Sequence, residues 1–378
     1  MTEDPAVPRR DALLRAETIA GVISQRLLGG VPVERCERTY VKYRFGDSLR
    51  AVYRFDGRYV ALRTGRRDGI AAPEVGAALY PFPHDRKLTA LRDAPAVIER
   101  LLGGAATPEL VAYAAEQSAT FACRDAHGHL LAYAKVELGC AEHRACRALA
   151  GQDAVRVPRV LAASDGVLLL EPLHGRRLDH APGEHLFALG ATLAALHTLN
   201  QTLKGVRPPS GWSRVGPFRR LGVERLATAA DVIARARPDA QGAAERLLAL
   251  LIERADDAVR EPVLLHGDAN LRNALALDDG TVALLDLEHL SVGPAAADLG
   301  QVLANLIFAR APKAANELLR GYGDPPDKAT VRWHTAACLL ARVALPAISR
   351  YRPNALARLR ELLDAGASLL GPAKELAA

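Results

Sequence analysis

The sequence predicts an α+β protein whose N-terminal part is antiparallel sheet and whose C-terminal part is mostly helical. Strand-like runs broken by turn residues fill residues 39–67 and 109–137. From residue 186 onward, apolar residues recur at helical spacing in one segment after another. One sheet-like island, Val263 to Leu287, interrupts the helical half. A chain of 378 residues with 49% hydrophobic content can bury a full core and is long for one compact unit.

The composition excludes several classes of protein. The net charge is +6, but Arg, Ala and Leu dominate the whole chain, so the charge does not indicate a basic patch for nucleic acid. No apolar run reaches the length of a membrane span, and the N-terminal segment is polar. Cysteine spacing forms neither a CxxC pair nor a metal set, so we expect reduced thiols in a cytoplasmic protein. The cysteines are Cys36, Cys123, Cys140, Cys146 and Cys338.

The first 104 residues predict a helix followed by a small antiparallel sheet. Amphipathic spacing favours the helix from about Asp11 to Leu28. The strand-like stretch that follows breaks at Gly46-Asp47 and at Asp56-Gly57, and the second break is a strong hairpin signal. We therefore assign residues 1–104 to an extra meander module.

A second strand-rich stretch, ELVAYAAEQSATFACRDAHGHLLAYAKVE, repeats the layout of the first. This similarity predicts an internal repeat of a strand–turn–strand–turn–strand unit. Two unrelated meanders with similar turns would look the same, so the interpretation stays open here. The matched positions are Tyr43 with Tyr113, Asp47-Ser48 with Gln117-Ser118, Arg54 with Arg124, Gly57 with Gly128, and Arg63 with Lys135.

The remaining division of the chain follows from the change of periodicity. We assign residues 105–173 to a second sheet part that ends after a hairpin at Ser164-Asp165-Gly166, and residues 174–378 to the helical part. Proline and glycine clusters predict loops at residues 208–211 and 323–326 inside the helical part.

The island carries the candidate chemistry in PVLLHGDANLRNALALDDGTVALLDLEHL. This pattern predicts a strand, a polar loop, a strand, a turn at Asp278-Asp279-Gly280 and a second strand that ends in acids. One hairpin then brings the polar loop close to Asp286. Phosphoryl transfer needs an aimed acceptor hydroxyl and magnesium against the phosphates. Asp268 suits the first task, and the oxygens of Asn273 and Asp286 are hard ligands suited to Mg²⁺.

The ordered combination of HGDANLRN, LLDLEH and AADLG resembles the aminoglycoside phosphotransferase and choline kinase family from roughly Glu109 to the C-terminus. The resemblance implies a bilobal protein-kinase-like fold with a small sheet N-lobe and a helical C-lobe. It also implies that His266 orders the loop by hydrogen bonding and that Asp298 ties the segment after the metal site to this loop. Glu288 is a further candidate metal or substrate contact.

The nucleotide side is less clear, because the chain has no Walker loop and no Gly-x-Gly-x-x-Gly. Backbone amides near Ser118 would have to contact the phosphates, and the family is similar in its reduced loop. Lys135 ends a strand and precedes a predicted helix with Glu142, which matches a lysine on the phosphates held by a glutamate. Arg63 is the rival cation, but no acid follows it at a suitable helical spacing.

The segment VLLLEPLHG resembles the hinge whose main chain binds adenine, which makes Glu171 and Leu173 candidate nucleotide contacts. We therefore expect an ATP- and Mg²⁺-dependent enzyme that phosphorylates a hydroxyl of a sugar, an amino-alcohol or an aminoglycoside-like molecule. Two alternatives are a kinase for Ser or Thr of a peptide and a catalytically idle nucleotide-binding scaffold. We expect no nucleic-acid or membrane partner. The acceptor, ATP versus GTP, the oligomeric state and the role of residues 1–104 stay open.

Overall fold

The computed structural model describes residues 1–104, 106–181, 183–202, 222–258 and 262–371. The loop predicted at residues 208–211 lies outside the described residues. The chain divides into two compact units. The first unit comprises residues 1–140, 160–172 and 349–351, and the second comprises residues 141–159, 173–348 and 352–378.

The first unit begins with helices α1 (Arg10–Leu14) and α2 (Ala16–Leu27), separated at Arg15, whose extended backbone (φ −93°, ψ 121°) interrupts the predicted single helix. A five-stranded antiparallel sheet, sheet A, follows in the order β1-β2-β3-β5-β4. Its strands are β1 (Cys36–Arg44), β2 (Ser48–Phe55), β3 (Arg58–Thr64), β4 (Ile70–Ala72) and β5 (Ala77–Pro81).

A second five-stranded antiparallel sheet, sheet B, has the order β6-β7-β8-β10-β9. Helix α3 (Ala94–Leu101) precedes it. Its strands are β6 (Thr107–Ala114), β7 (Ser118–Arg124), β8 (Leu130–Glu137), β9 (Val160–Ser164) and β10 (Val167–Leu170). Helix α4 (Ala141–Leu149), inserted between β8 and β9, belongs to the second unit.

The two sheets have the same strand order, and their first hairpins have the same register next to the turn. Ser48 pairs with Arg44 across the first hairpin of sheet A, as Ser118 pairs with Ala114 in sheet B. The paired strands β2 and β3 also match β7 and β8, since Arg50 faces Arg63 and Thr120 faces Lys135. Ser48 and Ser118, and likewise Arg63 and Lys135, thus occupy equivalent pairing positions, whereas the second turn is longer in sheet B, where Arg124 pairs with Leu130 and its counterpart Arg54 pairs with Tyr59.

One buried carboxylate fixes each of these first hairpins in the same way. Asp4 Oδ2 accepts hydrogen bonds from the Tyr43 hydroxyl (2.5 Å) and from the Gly46 amide (3.0 Å). Asp85 Oδ2 accepts them from the Tyr113 hydroxyl (2.7 Å) and from the Glu116 amide (2.8 Å). We propose that the repeat includes these acids, so that its copies span residues 4–81 and 85–170.

Both sheets contribute to one apolar core in the first unit. Val52 and Ala61 of sheet A, Ile98 of α3, and Phe121 and Leu169 of sheet B belong to one buried cluster. Burial of such side chains stabilises the unit by about 25 cal/mol per Å² of apolar surface. The predicted limit between residues 104 and 105 thus falls within a shared core.

The second unit is mostly helical, with two small antiparallel sheets, β11-β13-β14 and β12-β15. Its strands are β11 (Gly175–Arg177), β12 (Pro262–Leu265), β13 (Ala274–Leu277), β14 (Val282–Leu284) and β15 (Ser291–Pro294). Besides α4, its helices are α5 (Leu186–Thr202), α6 (Val223–Ala236), α7 (Gln241–Glu253), α8 (Ala296–Phe308), α9 (Pro312–Tyr322), α10 (Lys328–Cys338), α11 (Leu345–Ser349, whose last residue falls in the first unit), α12 (Pro353–Ala357) and α13 (Leu359–Leu370).

Two features of this unit position the island. The hairpin predicted at Asp278–Gly280 is confirmed, because Ala274 pairs with Leu284 and Gly280 has a φ of 81°. Strand β12 pairs with β15, so the segment before the polar loop is held by the segment after Asp286. The α+β class predicted from the sequence is confirmed. Among the described residues, no helix is long and apolar enough to cross a membrane.

Candidate active site

The polar loop after β12 presents a largely buried carboxylate, that of Asp268, whose side chain is 23% exposed. Asp268 Oδ1 accepts hydrogen bonds from Gln301 Nε2 (2.7 Å) and from Arg342 Nη1 (2.9 Å). Asp268 Oδ2 accepts one longer hydrogen bond, from Asn273 Nδ2 (3.2 Å). The two oxygens are therefore unequal, and Oδ2 keeps acceptor capacity.

The charge of Asp268 is stabilised in spite of its burial. Burial opposes ionisation of this carboxyl, but the positive charge of Arg342 and the hydrogen bond from Gln301 outweigh it. The pKa of Asp268 consequently lies below its ordinary value. The carboxylate is ionised at neutral pH and is a weak base.

The sequence interpretation missed both Gln301 and Arg342. Gln301 is buried on α8, and Arg342 lies in a π-helical turn, Leu339–Ala344, that follows α10. Arg342 also donates from Nη2 to the Gly267 carbonyl (3.0 Å). A single arginine inside the apolar run CLLARVALPAI was the available signal, because a buried cation needs a partner.

Asp298, at the start of α8, anchors the polar loop through its backbone. Its side chain is 1% exposed, and it accepts hydrogen bonds from the amides of His266 (2.7 Å) and Gly267 (3.0 Å). The ring of His197 lies 3.2 Å from Asp298 Oδ2. Burial opposes ionisation of Asp298, yet the hydrogen bond and charge of His197 and the loop amide lower its pKa.

His266 links the polar loop to the end of β14. Its Nδ1 accepts from the Asp268 amide (3.2 Å), and its Nε2 lies 2.9 Å from the Leu285 carbonyl. This pair of contacts corresponds to a neutral imidazole protonated at Nε2. The side chain is completely buried, so in this arrangement it orders the loop.

Asn273 and Asp286 lie on adjacent segments. The amide of Leu285 donates to the Asn273 carbonyl (2.8 Å), which places Asp286 one residue away. Asn273 Nδ2 donates to the backbone carbonyl of Asp268 as well as to its carboxylate, so the amide Oδ1 faces away from them. Asp286 has a left-handed backbone, with a φ of 59°, which is unusual for a non-glycine residue.

This oxygen pair fits a magnesium ion, because Mg²⁺ is usually held by one or two protein oxygens together with phosphates and water. Within the described residues, no group of three or more His, Cys, Asp or Glu side chains could hold a metal. Glu288 is exposed, and its carboxylate lies 3.3 Å from His289 Nε2.

The residues expected to bind nucleotide fall in both units. Ser118 opens β7, Lys135 lies on β8 and the buried Glu171 follows β10, all in the first unit. Glu142 and Leu173 belong to the second unit. Glu142 is buried on α4 as expected, and α4 packs against the turn Leu287–His289 that follows Asp286.

Comparison with known proteins identifies the fold and the family. A model described as the phosphotransferase enzyme family matches residues 97–334, more than half of the chain. No curated protein sequence matches the chain.

Among solved structures, a thermostable mutant of aminoglycoside phosphotransferase APH(4)-Ia, in ternary complex with ADP and hygromycin B, is 15% identical with a TM-score of 0.54. That match covers 74% of this chain and all (100%) of the other. The gentamicin complex of APH(2")-IIa is 14% identical with a TM-score of 0.50, covering 74% of this chain and 95% of that one.

Aminoglycoside phosphotransferase APH(3'')-Id from Streptomyces rimosus is 24% identical, covering 64% of this chain and 96% of that one, with a TM-score of 0.43. At these identities the structural matches show a shared fold, and the argument for it rests on the two higher scores. The matched segment contains the polar loop with Asp268 and the anchor Asp298. The chain belongs to the phosphotransferase enzyme family.

Proposed function

We propose that this phosphotransferase moves the γ-phosphate of ATP to a hydroxyl of a small molecule, namely a sugar, an amino-alcohol or an aminoglycoside-like compound. The observation that carries the proposal is the unequal hydrogen bonding of the Asp268 carboxylate. Oδ1 is held by Gln301 and Arg342, while Oδ2 accepts one 3.2 Å bond. A fixed carboxylate with one available oxygen suits the orientation of an incoming hydroxyl.

In the proposed reaction, the acceptor hydroxyl donates a hydrogen bond to Asp268 Oδ2 and its oxygen attacks the γ-phosphorus. The bond from this phosphorus to the bridging oxygen breaks, and ADP leaves. The hydroxyl proton passes to Oδ2 and then to solvent. Because the pKa of Asp268 is lowered, this carboxylate is a weak base, so proton transfer accompanies late bond formation.

Asn273 and Asp286 would hold Mg²⁺, which neutralises charge on the phosphates when it is bound. Ser118 and Lys135 would contact the phosphates, with Glu142 holding Lys135, and Glu171 and Leu173 would contact adenine. Support for nucleotide binding comes from the APH(4)-Ia structure, which was solved with ADP and hygromycin B. The family match supports the type of reaction.

Release of ADP by the purified full-length chain tests this function. The assay supplies Mg-ATP with acceptors of three charge classes: aminoglycosides, amino-alcohols and neutral sugars. We expect one class to stimulate ADP release, and Asp268→Asn to lower the stimulated rate by about 10²–10⁴-fold. Asp278→Asn is the matched control, because this exposed acid lies in the turn of the same hairpin. Equal rates for Asp268→Asn and wild type would contradict the proposed role.

A further inference from the structure

The matched hairpins of sheets A and B differ at their tips. In each turn, the amide three residues on bonds back to a strand carbonyl: Asp47 to Arg44 (3.0 Å) and Gln117 to Ala114 (2.9 Å). The central residue of the first tip is Gly46, with a φ of 78°. Its counterpart in sheet B is Glu116, with a φ of 58°. Glycine adopts this backbone freely and other residues do so at a cost, so a glutamate here indicates a role for its side chain.

The Glu116 side chain is buried, with 5% exposure, and lies among three arginines. Arg50 Nη1 donates to its carboxylate at 2.8 Å. Arg86 approaches both carboxylate oxygens, at 3.3 and 3.4 Å. Arg63 Nη1 lies 3.6 Å away. Burial by itself disfavours the charged carboxylate, and the arginines offset this effect.

Further contacts fix the same hairpin from the N-terminal side. The Glu116 amide donates to Asp85, and the Tyr40 hydroxyl donates to the side-chain oxygen of Gln117. Tyr40, Arg50 and Arg63 lie on strands of sheet A. Strands of the first copy therefore hold the side chains of the β6–β7 hairpin, whereas Asp85 of the second copy holds its backbone.

The strand pairing identifies Arg63 as the counterpart of Lys135. Arg63 occupies the position in sheet A that Lys135 occupies in sheet B. The cation that corresponds to the proposed phosphate-binding lysine thus faces a carboxylate of the protein itself. Glu116 therefore supplies the anionic partner of Arg63.

We propose that the first copy of the repeat, residues 4–81, is a degenerate second N-lobe that clamps the hairpin at residues 115–118 through Arg50 and Arg63, which lie against Glu116 together with Arg86 of the second copy. The clamp presets the hairpin for nucleotide phosphates without touching the nucleotide. The proposal rests on the proposed function, in which this hairpin contacts ATP. Arg50, Arg63 and Glu116 are positioning residues.

A clamped hairpin loses less conformational entropy when the nucleotide binds. Release of the clamp should therefore weaken ATP binding more than it slows the chemical step. A tenfold weakening corresponds to about 1.4 kcal/mol. The acceptor should bind as before, because the clamp lies wholly within the first unit, whereas Asp268 lies in the second.

The test compares Glu116→Gln, Arg63→Met and the double variant with wild type in the full chain. Arg63 is 18% exposed, so its loss threatens folding less than loss of the 7% exposed Arg50. Arg54→Met is the control, because Arg54 lies on the same strand as Arg50 but forms an exposed ion pair with Glu37. The measurements are KM for ATP, kcat, KM for the acceptor, and hydrogen exchange of the amides of residues 115–119.

We expect each clamp variant to raise KM for ATP by about three- to tenfold, with kcat changed by less than about twofold, and to speed amide exchange at the hairpin. The double variant should match the stronger single one, because both remove the same interaction. Unchanged exchange and unchanged KM in both single variants would overturn the clamp. Amide exchange can be measured without turnover. If the variants exchange faster but the wild-type chain transfers no phosphate, the clamp is supported and the proposed function is refuted.

Discussion

Replacement of Asp298 by alanine tests the anchoring of the polar loop. Asp298 accepts hydrogen bonds from the amides of His266 and Gly267 and lies 3.2 Å from His197 Nε2, at 1% exposure. Asp298→Ala leaves two backbone amides and one imidazole without their acceptor. The loop that carries Asp268 then loses its attachment to α8.

The magnitude follows from these three donors. A buried donor left unsatisfied costs about 1–3 kcal/mol, so two amides cost about 2–6 kcal/mol. The variant no longer has to bury a carboxylate, which recovers part of this cost. Removal of one partner from a buried charged network usually costs about 3–5 kcal/mol, and we expect a loss in this range.

The stabilisation that Asp298 provides should depend on pH, in a direction that its pKa determines. The pKa of Asp298 in the folded state lies below its ordinary value of 3.8, which we take for the unfolded state. The charged carboxylate therefore contributes stability above this value, and the contribution is lost as the pH falls through the lower, folded pKa. The difference between wild type and Asp298→Ala should shrink in acid.

Urea denaturation at neutral pH measures the free energy of unfolding, with Asp278→Ala as the control for loss of an exposed acid. If Asp298→Ala lowers the free energy of unfolding by less than about 1 kcal/mol with an unchanged denaturant slope, Asp298 does not anchor the polar loop.

Two other substitutions test the packing and the charge of the site. Arg342→Met should raise the pKa of Asp268, because burial continues to oppose its ionisation when the cation is gone. In this variant the acid limb of the pH profile of kcat/KM should move to higher pH. The control Arg332→Met, at an exposed position, should leave the limb in place. An unmoved limb in Arg342→Met would contradict the claim that Arg342 lowers the pKa of Asp268. Gly300→Ala should destabilise the protein by about 1–3 kcal/mol, since the added Cβ would lie 2.7 Å from backbone atoms of His334 and Thr335. Gly242→Ala, whose Cβ meets only a flexible arginine end at 3.7 Å, should cause no loss in the same denaturation experiment.

Local patterns predicted most of the elements. The turn Asp278–Gly280, the helices that follow residue 186 and the strands of both meanders form as their periodicity and turn residues indicate. The break at Arg15 was not foreseen, because no proline or glycine marks it in the sequence. The pairing of β12 with β15 was also missed, since β15 is four residues long and has no alternation of its own.

The candidate site was predictable where its residues share one segment. Asp268, Asn273 and Asp286 lie within 19 consecutive residues, and a single hairpin brings them near each other. Arg342 follows Asp268 by 74 positions, and the two meet only through packing of helices that no local pattern specifies. Glu116 was missed for a related reason, because its three arginines come from separate parts of the first unit.

The central claim is that Asp268 orients a small-molecule hydroxyl for transfer of the γ-phosphate. The most direct test is mass-spectrometric quantification of phosphorylated acceptor, formed from ATP in the presence of Mg²⁺ by wild type, Asp268→Asn and Asp278→Asn. The account predicts one phosphate per acceptor molecule with wild type and with Asp278→Asn, and product lowered by about 10²–10⁴-fold with Asp268→Asn. Undiminished product with Asp268→Asn, or phosphate found on a peptide acceptor and on no small molecule, would contradict it.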